Sequence, residues 1–465
     1  MRYVLTIITL LITQFVRAQE KPNIILIVAD DLGYGDISSY GCRDIKTPNI
    51  DMLASEGVRF TSFYANGPVC SPTRAALLSG RYQQRVGGLE GPIGAGNIGR
   101  YDEAAWLVER KELGLPPDHS NLPKELKKAG YNTAIVGKWH LGYERKFRPH
   151  NHFFDFSFGT FGIGGEHFYH TERYPMNLDD PDFSDMHTLS RNGKEVFRDG
   201  YYSTHLFTDE AKAWLNQQNN KKPFFLYLPY SVPHTPFQGP NDFIERPFTN
   251  EEWGSKNRSR KTYAEMIEDM DRGIGELLAL LKRKNLDQNT IVVFFSDNGG
   301  TKIANNGIYS GFKGDLYEGG IRVPCIIRWP EMIPQNTESD QLTVSFDLTY
   351  SFLKHTGVNV ESMNLDGIDI IGHIIGYSPK FGRTMFWRYK NDPRVSKAVR
   401  EGEMKLIVEY IDGSLNNKAL FNIEEDPSES INLMEKFPEL TESLLKKLTL
   451  WEDDVQAERL SDFKK

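Results

Sequence analysis

Cysteine is scarce in this chain, with three residues (Cys42, Cys70 and Cys325) among 465. Three widely separated cysteines cannot build the framework of several disulfides that holds small secreted domains together. Cys325 lies in the apolar stretch RVPCIIRWP and is expected to be an inert core residue, whereas Cys42 lies in a glycine-rich turn. Cys70 stands directly before Ser-Pro-Thr-Arg and needs a different explanation.

An excess of charge of one sign is also absent. The chain has 55 Lys and Arg against 63 Asp and Glu, and its net charge of -8 is mild for this length. This balance argues against a nucleic-acid-binding surface, although it is compatible with a local basic pocket. We therefore expect no nucleic-acid partner.

Long apolar runs are lacking except at the N-terminus, where residues 4–16 follow the positively charged Arg2. The run is shorter than the ~20 residues that a membrane-spanning helix needs. Val16-Arg17-Ala18 supplies small residues before Gln19, which is typical of a secretory signal peptide over residues 1–18. An uncleaved anchor is the alternative. We expect an exported protein, periplasmic or secreted, without a membrane span.

From residue 22 onward, apolar runs alternate with amphipathic stretches. The runs NIILIVADD, TAIVGKWH, PFFLYLPYS and TIVVFFSDNGG are rich in β-branched and aromatic residues, which is typical of strands covered on both faces. Apolar residues at i, i+3, i+4 and i+7 spacing over residues 263–282 predict a helix. The pattern predicts an α/β fold with a large mixed, mostly parallel sheet sandwiched by helices.

The pattern changes after about residue 375. Short apolar segments separated by turns, such as TMFWRYK and KAVREGEMKLIVEY, are followed by the amphipathic stretch FPELTESLLKKLTLWEDD. We predict an α/β catalytic domain over residues 19–375. A smaller C-terminal α+β subdomain, with an antiparallel sheet and a helix, is predicted over residues 376–465.

Two of the predicted strands end in pairs of oxygen-bearing side chains, Asp30-Asp31 and Asp297-Asn298. Functional sites of open parallel sheets lie at the carboxyl ends of the strands. Four oxygen side chains without a nearby Cys/His pair favour a hard cation, Ca²⁺ or Mg²⁺, over zinc. Taken alone, an Asp at a strand end is more often a helix N-cap, and DNGG is more often a turn.

Cys70 is expected at the start of a helix, because Pro72 suits the first helical turn and Gly80 suits the position after the last. Backbone N–H groups and the helix dipole favour an anion at that point. Two interpretations remain open from these residues: a small buried cysteine at a cap, or a thiolate nucleophile activated by the dipole.

The segment Cys70-Ser71-Pro72-Thr73-Arg74 followed by AALLSGR resembles the C-x-P-x-R signature of type I sulfatases, in the alkaline phosphatase superfamily. The segments ADDLGYGD, GKWHLG, PHTPF, SDNGG and GFKGDLYEGGIRVP resemble other elements of that family, in order, and the similarity covers nearly the whole chain after the signal peptide. The resemblance implies that a maturation enzyme oxidises Cys70 to Cα-formylglycine, whose hydrated aldehyde is the nucleophile.

The resemblance also implies a role for each matching residue. One Ca²⁺, with Mg²⁺ the less favoured ion, would be held by Asp30, Asp31, Cys70, Asp297 and Asn298. The catalytic set would be Cys70 (as formylglycine), Arg74, Lys138, His140, His234 and Lys313. In that set Arg74 and His140 would hold the hydrated aldehyde. The remaining cationic side chains would bind sulfate oxygens, with His234 expected to protonate the leaving group.

The expected substrate of an exported sulfatase is a sulfated carbohydrate, such as a polysaccharide, an oligosaccharide or a glycosaminoglycan. The irregular stretches 83–117 and 147–174 are long enough to wall a sugar subsite, although their aromatic residues could equally be core. Arg100 and Arg388 are candidate substrate-binding residues. No catalytic role is assigned to His150, His152, His167 and His170.

Three alternatives stay open at this stage. A phosphodiesterase or phosphonate monoester hydrolase of the same superfamily could keep the same signature. A thiol enzyme would use Cys70 unmodified. A non-catalytic glycan-binding protein would need no such set of metal-binding and cationic residues.

Overall fold

A computed structural model of the chain describes residues 21–93, 101–119, 121–142, 144–161, 189–198, 200–242 and 259–463, together with the backbone of 169–170. The predicted signal peptide, the candidate Arg100 and His167 lie outside the described residues. Within those ranges no helix combines the length and the apolar character that crossing a bilayer requires.

Strands and helices alternate through the first four-fifths of the chain. The strands are β1 (Asn23–Ala29), β2 (Val58–Phe60), β3 (Phe63–Tyr64), β4 (Asn132–Lys138), β5 (Phe156–Thr160), β6 (Tyr169–His170), β7 (Leu189–Arg191), β8 (Lys194–Glu195), β9 (Tyr201–Tyr202), β10 (Phe224–Pro229), β11 (Thr290–Ser296), β12 (Cys325–Arg328), β13 (Thr337–Ser339), β14 (Thr343–Val344), β15 (Thr384–Asn391), β16 (Arg394–Glu401), β17 (Met404–Ile411) and β18 (Ser414–Asn422). The α-helices are α1 (Pro48–Ser55), α2 (Cys70–Ser79), α3 (Asp102–Glu109), α4 (Leu122–Lys128), α5 (Ser203–Asn216), α6 (Arg260–Arg283), α7 (Glu318–Ile321), α8 (Phe346–His355), α9 (Ile370–Ile374) and α10 (Pro438–Asp454).

The large sheet has the strand order β13-β2-β12-β11-β1-β10-β4-β5-β7-β8. Its centre, from β11 through β1, β10 and β4 to β5, is parallel throughout. Antiparallel pairing enters on both sides, where β12 pairs with β11 and β7 pairs with β5. The predicted mixed, mostly parallel sheet is confirmed.

The sheet is covered on both faces, as the continuous apolar runs indicate. In β1 the side chains alternate: Leu26 and Val28 belong to the apolar core on one face, and Ile25 and Ile27 to the core on the other. All four are buried. The predicted helix 263–282 forms as α6, slightly longer than expected, and packs on the second of these faces through residues such as Ile274.

The C-terminal part forms the expected antiparallel sheet, in the order β15-β16-β17-β18, with α10 packed against it. Its apolar core continues into the first domain, because Trp387 and Leu448 share one buried cluster with Tyr64 and Phe346. The sheet begins at Thr384. The predicted domain boundary at residue 376 stays a prediction.

Candidate active site

Four neighbouring parallel strands deliver polar side chains to one edge of the sheet. Asp30 and Asp31 follow β1, and Asp297 and Asn298 follow β11 beside it. Lys138 is the last residue of β4, and His234 lies in the loop after β10. Because the four strands are parallel and adjacent, these side chains from distant parts of the sequence meet in one place.

Helix α2 brings Cys70 to the same edge as its first residue. Val69 is extended before it, and Gly80 adopts a left-handed conformation (φ 71°) at the other end, where glycine carries no Cβ penalty. All ten residues of the helix are buried. Cys70 Sγ lies 3.2 Å from Asp30 Oδ1, 3.8 Å from Asp31 Oδ1 and 3.7 Å from Lys313 Nζ.

Each carboxylate around Cys70 has a cationic partner. Lys138 Nζ lies 2.6 Å from Asp30 Oδ2, and Lys313 Nζ lies 2.7 Å from Asp31 Oδ2. Lys138 and the carboxylates of Asp30, Asp31 and Asp297 are at most 2% exposed. Buried charges of this kind are stable only when paired, so the set forms one electrostatic unit.

Arg74 connects this unit to the second strand end. Its guanidinium pairs with Asp297 Oδ2 at 2.8 Å, lies 3.6 Å from Asp30 Oδ1 and donates to the Lys138 carbonyl oxygen at 3.1 Å. Burial works against its charge, but the neighbouring carboxylates, Asp297 above all, raise the pKa of Arg74. Arg74 is therefore a fixed positive charge one helical turn from Cys70.

The carboxylates differ in their ionisation. Burial opposes the charge of Asp30, but Lys138, His234 and Arg74 outweigh it and hold its pKa well below the usual value. Burial and the negative charge of Asp30 raise the pKa of Asp297 to about 7. Three carboxylates, Asp30, Asp31 and Asp297, and three cations, Arg74, Lys138 and Lys313, therefore share one buried cluster.

The Cys70 thiol is not activated by these side chains. Burial, followed by the negative charges of Asp297 and Asp30, raises its pKa well above the usual value. A free thiolate at this position is opposed by its own surroundings, despite the helix N-terminus. The arrangement does not favour the interpretation of Cys70 as a thiolate nucleophile.

Four potential metal ligands, Asp30, Asp31, Cys70 and His234, offer donor atoms within 4.8 Å of one another. Asn298 donates to Asp31 Oδ1 at 2.8 Å, and its own buried Oδ1 has no hydrogen-bond partner in the described part of the chain. An orphaned buried oxygen beside two carboxylates fits a cation ligand.

One premise of the sequence interpretation was wrong. It counted no Cys/His pair near the oxygen side chains, but the fold places Cys70 and His234 among them. His234 lies in the loop that follows β10. No local sequence pattern shows which other strand ends this loop will contact. The donor set, with the oxygens of Asp297 and Asn298, still fits a hard cation.

The two histidines differ in their hydrogen bonds. His234 Nδ1 donates to the Thr235 carbonyl oxygen at 2.5 Å, which leaves Nε2 facing Asp31 Oδ2 at 3.6 Å. Burial and then Lys313 lower the pKa of His234 to about 4. Neither ring nitrogen of His140 has a partner in the described ranges, and burial with Lys138 and Arg74 lowers its pKa well below the usual value.

Two residues of this site have an unusual backbone conformation. Asp31 and His140 adopt positive φ angles of 68° and 56°. Such angles are uncommon for residues other than glycine and persist where the surroundings impose them. For Asp31 the restraint includes its own amide, which donates to Asp297 Oδ1 at 3.3 Å.

Asp36, which the sequence interpretation quoted but gave no role, holds the loops that carry the site. It is fully buried and accepts from the Gly33 amide at 3.1 Å, the Tyr263 hydroxyl at 2.6 Å and the Asn305 amide at 3.1 Å. It thus joins the loop after β1 to α6 and to the loop after β11. Its position within ADDLGYGD, close to the strand end, was the available signal.

The candidate Arg388 lies on β15. Its guanidinium pairs with Glu90 at 2.6 Å and with Glu452 at 3.2 Å, so carboxylates of the protein already occupy it. A substrate-binding role for Arg388 stays a prediction. His152, to which no catalytic role was assigned, is buried against Trp139 with 4.8 Å between the ring centroids.

A cavity of about 530 Å³ opens from Asp31 and Lys313. Thr235, Phe237 and Phe312 line it, together with the loop that follows Gly300. None of these lining residues was singled out from the sequence for substrate binding. Their signal in the sequence was that they adjoin predicted site residues: Phe312, for example, directly precedes Lys313.

Comparisons with known proteins agree with this geometry. The sulfatase family model matches residues 22–358, and the model of the N-sulphoglucosamine sulphohydrolase C-terminal region matches residues 309–454. N-acetylgalactosamine-6-sulfatase of Canis lupus familiaris is 35% identical over 77% of this chain and 67% of its own length. Arylsulfatase J of Mus musculus is 29% identical over 92% of this chain and 75% of its own.

A solved structure shows the same architecture. The crystal structure of Ps i-CgsB in complex with k-i-k-neocarrahexaose superimposes with a TM-score of 0.79 over 94% of each chain, at 33% sequence identity. The family model alone spans most of the chain. With its buried strand-end carboxylates, paired lysines and C-x-P-x-R helix start, this chain belongs to the sulfatase family, whose members hydrolyse sulfuric esters.

Proposed function

We propose that the protein removes sulfate from a sulfated carbohydrate, using a Cα-formylglycine formed from Cys70 and one Ca²⁺. The observation that carries the proposal is the position of Cys70 Sγ, within 3.8 Å of Asp30, Asp31 and Lys313. The sulfur marks where an oxygen of the modified side chain would lie. Conversion would replace a thiol of raised pKa with a hydrated aldehyde, whose hydroxyl is the nucleophile.

Asp30, Asp31, Asp297 and Asn298, with residue 70, would hold the cation. When bound, Ca²⁺ would lower the pKa of the hydroxyl and offset the negative charge of the carboxylates. Conversion of Cys70 would also remove the sulfur donor, which favours a calcium or magnesium ion over zinc. The unpartnered Asn298 Oδ1 supports this assignment.

The chain's own cations would bind and orient the sulfate. Lys138 and Lys313 stay charged, because the pKa of each is raised by a carboxylate despite burial. They would neutralise charge on sulfate oxygens and on the bridging oxygen as the ester bond breaks. Arg74, which pairs with Asp297 and lies 3.6 Å from Asp30, would fix the side chain of residue 70.

His234 would supply the proton to the leaving oxygen. In the free site its Nε2 is an acceptor, because Nδ1 carries the proton that is donated to the Thr235 carbonyl. The negative charge of a bound sulfate ester would favour the doubly protonated ring, which could then act as the acid. His140, with two unpartnered ring nitrogens, would hold and deprotonate a hydroxyl of the hydrated aldehyde.

The proposal is tested with protein made alongside a sulfatase-maturating enzyme. The mass of the tryptic peptide 60–74 should show loss of the Cys70 sulfur, and sulfate should be released from sulfated polysaccharides and oligosaccharides. Cys70→Ala should lower turnover by about 10³-fold or more while the protein still folds. Elemental analysis should find one calcium per chain. An intact cysteine in fully active protein would overturn the formylglycine assignment.

The remaining alternatives are separated by the same preparation. A phosphodiesterase or phosphonate monoester hydrolase would cleave aryl phosphodiesters or phosphonates faster than any sulfate ester. A thiol enzyme would be fully active from a host without maturation enzymes and would lose activity on alkylation.

A further inference from the structure

The cavity that opens from Asp31 and Lys313 has a composition unlike that of the sulfate site. Phe237, Ile303 and Phe312 give it apolar walls, and Thr235 and Thr301 add hydroxyl groups. A volume of about 530 Å³ lies within the range of pockets that bind small organic ligands. The cavity is therefore large enough for a sugar ring beside the sulfate.

The wall of this cavity that carries Lys302 and Phe312 is hydrogen-bonded to the elements that carry the site residues. The Lys313 amide donates to the Gly300 carbonyl oxygen at 3.0 Å, and the Gly314 amide donates to the Pro68 carbonyl oxygen at 2.9 Å. The Gly300 amide in turn donates to Asn306 Oδ1 at 3.0 Å. These bonds join the turn that carries Phe312 to the loop after Asn298 and to the segment before Cys70.

Lys302 also lines this wall, and its exposure and pairing differ from those of Lys138 and Lys313. Lys138 and Lys313 are buried or half-buried and paired with Asp30 and Asp31. Lys302 is exposed, and in the described ranges no carboxylate pairs with it. Its Nζ lies 4.8 Å from the centroid of the Phe312 ring.

A lysine held over an aromatic ring keeps its ammonium hydrogens available for an anion. The sulfate that is to be cleaved already has the two paired lysines and His234. Lys302 therefore provides positive charge beyond what one sulfate group needs.

We propose that Phe312 and Lys302 form the subsite for the sugar that carries the scissile sulfate. Phe312 packs against a face of the ring, and Lys302 pairs with a second anionic group on that sugar or its neighbour, a carboxylate or another sulfate. The substrate class is thereby narrowed to carbohydrates with two closely spaced acidic groups. This inference rests on the proposed sulfatase function.

The test uses the mature enzyme and a pool of chondroitin, heparin and carrageenan oligosaccharides, read by mass spectrometry as loss of sulfate from each species. The wild-type enzyme should prefer species that carry a second acidic group next to the scissile sulfate. Lys302→Gln should reduce this preference about three- to tenfold, as expected for a partly screened charge pair. Lys302→Arg should retain the preference, and added salt should weaken it in the wild type.

Phe312 is tested in the same pool. Phe312→Leu should raise KM for all cleaved species, whereas Phe312→Tyr should behave like the wild type, because an aromatic face is what the ring needs. The matched control is Lys446→Gln, an exposed lysine on α10 that does not line the cavity, which should leave activity and preference unchanged.

The outcomes separate the two proposals. If the wild type releases sulfate from no species, the proposed function itself fails. The sulfatase proposal stands and the subsite is wrong if the wild type releases sulfate without regard to a second acidic group. The same conclusion follows if Lys302→Gln prefers species with a second acidic group as strongly as the control Lys446→Gln does.

Discussion

At the scale of single residues, two buried histidines differ in what we expect of them. His140 and His152 are both buried. His140 adjoins Lys138 at the strand end, whereas His152 packs against the ring of Trp139. Position relative to the charged cluster, and not burial, separates a candidate base from a packing residue.

His140→Ala should lower kcat by about 10²–10⁴-fold, the range typical of a lost acid–base group. The free energy of unfolding should fall by about 1–3 kcal/mol, because the buried ring leaves a cavity although no hydrogen bond is lost. Sulfate release and urea unfolding measure the two effects. His152→Gln is the control and should keep activity within about twofold. A stability loss in His140→Ala that accounts for its lost activity would contradict the prediction.

At the scale of elements, the site depends on how closely the loop after β11 approaches α7. The Gly299 amide donates to the Gly320 carbonyl oxygen at 2.9 Å. A Cβ on Gly299 would lie 1.9 Å from the Gly319 carbonyl oxygen, far inside contact distance. Only glycine permits this approach, which sets where Asp297 and Asn298 stand.

Gly299→Ala should therefore push the loop away from α7 and displace both residues from Asp30 and Asp31. We expect a loss of about 1–3 kcal/mol in the free energy of unfolding, as for other overpacked positions, and weaker calcium binding. Thermal unfolding and calcium titration measure these effects. Gly382→Ala, where a Cβ meets nothing within 4 Å, is the control. Wild-type stability in Gly299→Ala would show that the approach is not required.

At the scale of the whole molecule, a buried ionic cluster joins the C-terminal antiparallel sheet to α7. Lys405 of β17 lies 2.8 Å from Glu318 of α7 and 2.9 Å from Glu429. Burial opposes the charge of Glu318, but Lys405 and Arg400 lower its pKa to about 2. For Glu429, burial dominates over Lys405 and raises the pKa to about 7. One lysine thus neutralises one carboxylate well and the other incompletely.

The free energy of unfolding of the protein should depend on pH through Glu429. Between about pH 4.5 and 7 the folded state binds more protons at this group than the unfolded state, so the free energy of unfolding falls as pH rises. Glu318 acts in the opposite sense at lower pH: its stabilising effect is complete above about 4.5 and is lost as pH falls towards 2.

Glu429→Gln should remove the loss between pH 4.5 and 7. The free energy of unfolding of Glu429→Gln, relative to the wild type in urea, should rise between pH 5 and pH 8 by on the order of 1–3 kcal/mol. Glu425→Gln, at an exposed position nearby, should show no such trend. An advantage that does not change with pH would contradict the assignment.

The sequence by itself determined the elements and most of the chemistry. The apolar runs fixed β1, β4, β10 and β11, because side-chain burial on both faces leaves a local pattern. The same runs showed which polar residues stand at the strand ends, and the C-x-P-x-R segment indicated the family. Periodicity also predicted α6, and short apolar segments separated by turns predicted the C-terminal antiparallel strands.

Only the tertiary structure decided which of these residues meet. The order of parallel strands depends on contacts between segments hundreds of residues apart, which no local pattern encodes. The fold therefore placed His234 beside Cys70, gave Asp36 its hydrogen-bond donors, and paired Arg388 with Glu90 and Glu452. It also brought Lys302 and Phe312 to the cavity beside Asp31 and Lys313, which the sequence signalled only through the adjacency of Phe312 to Lys313.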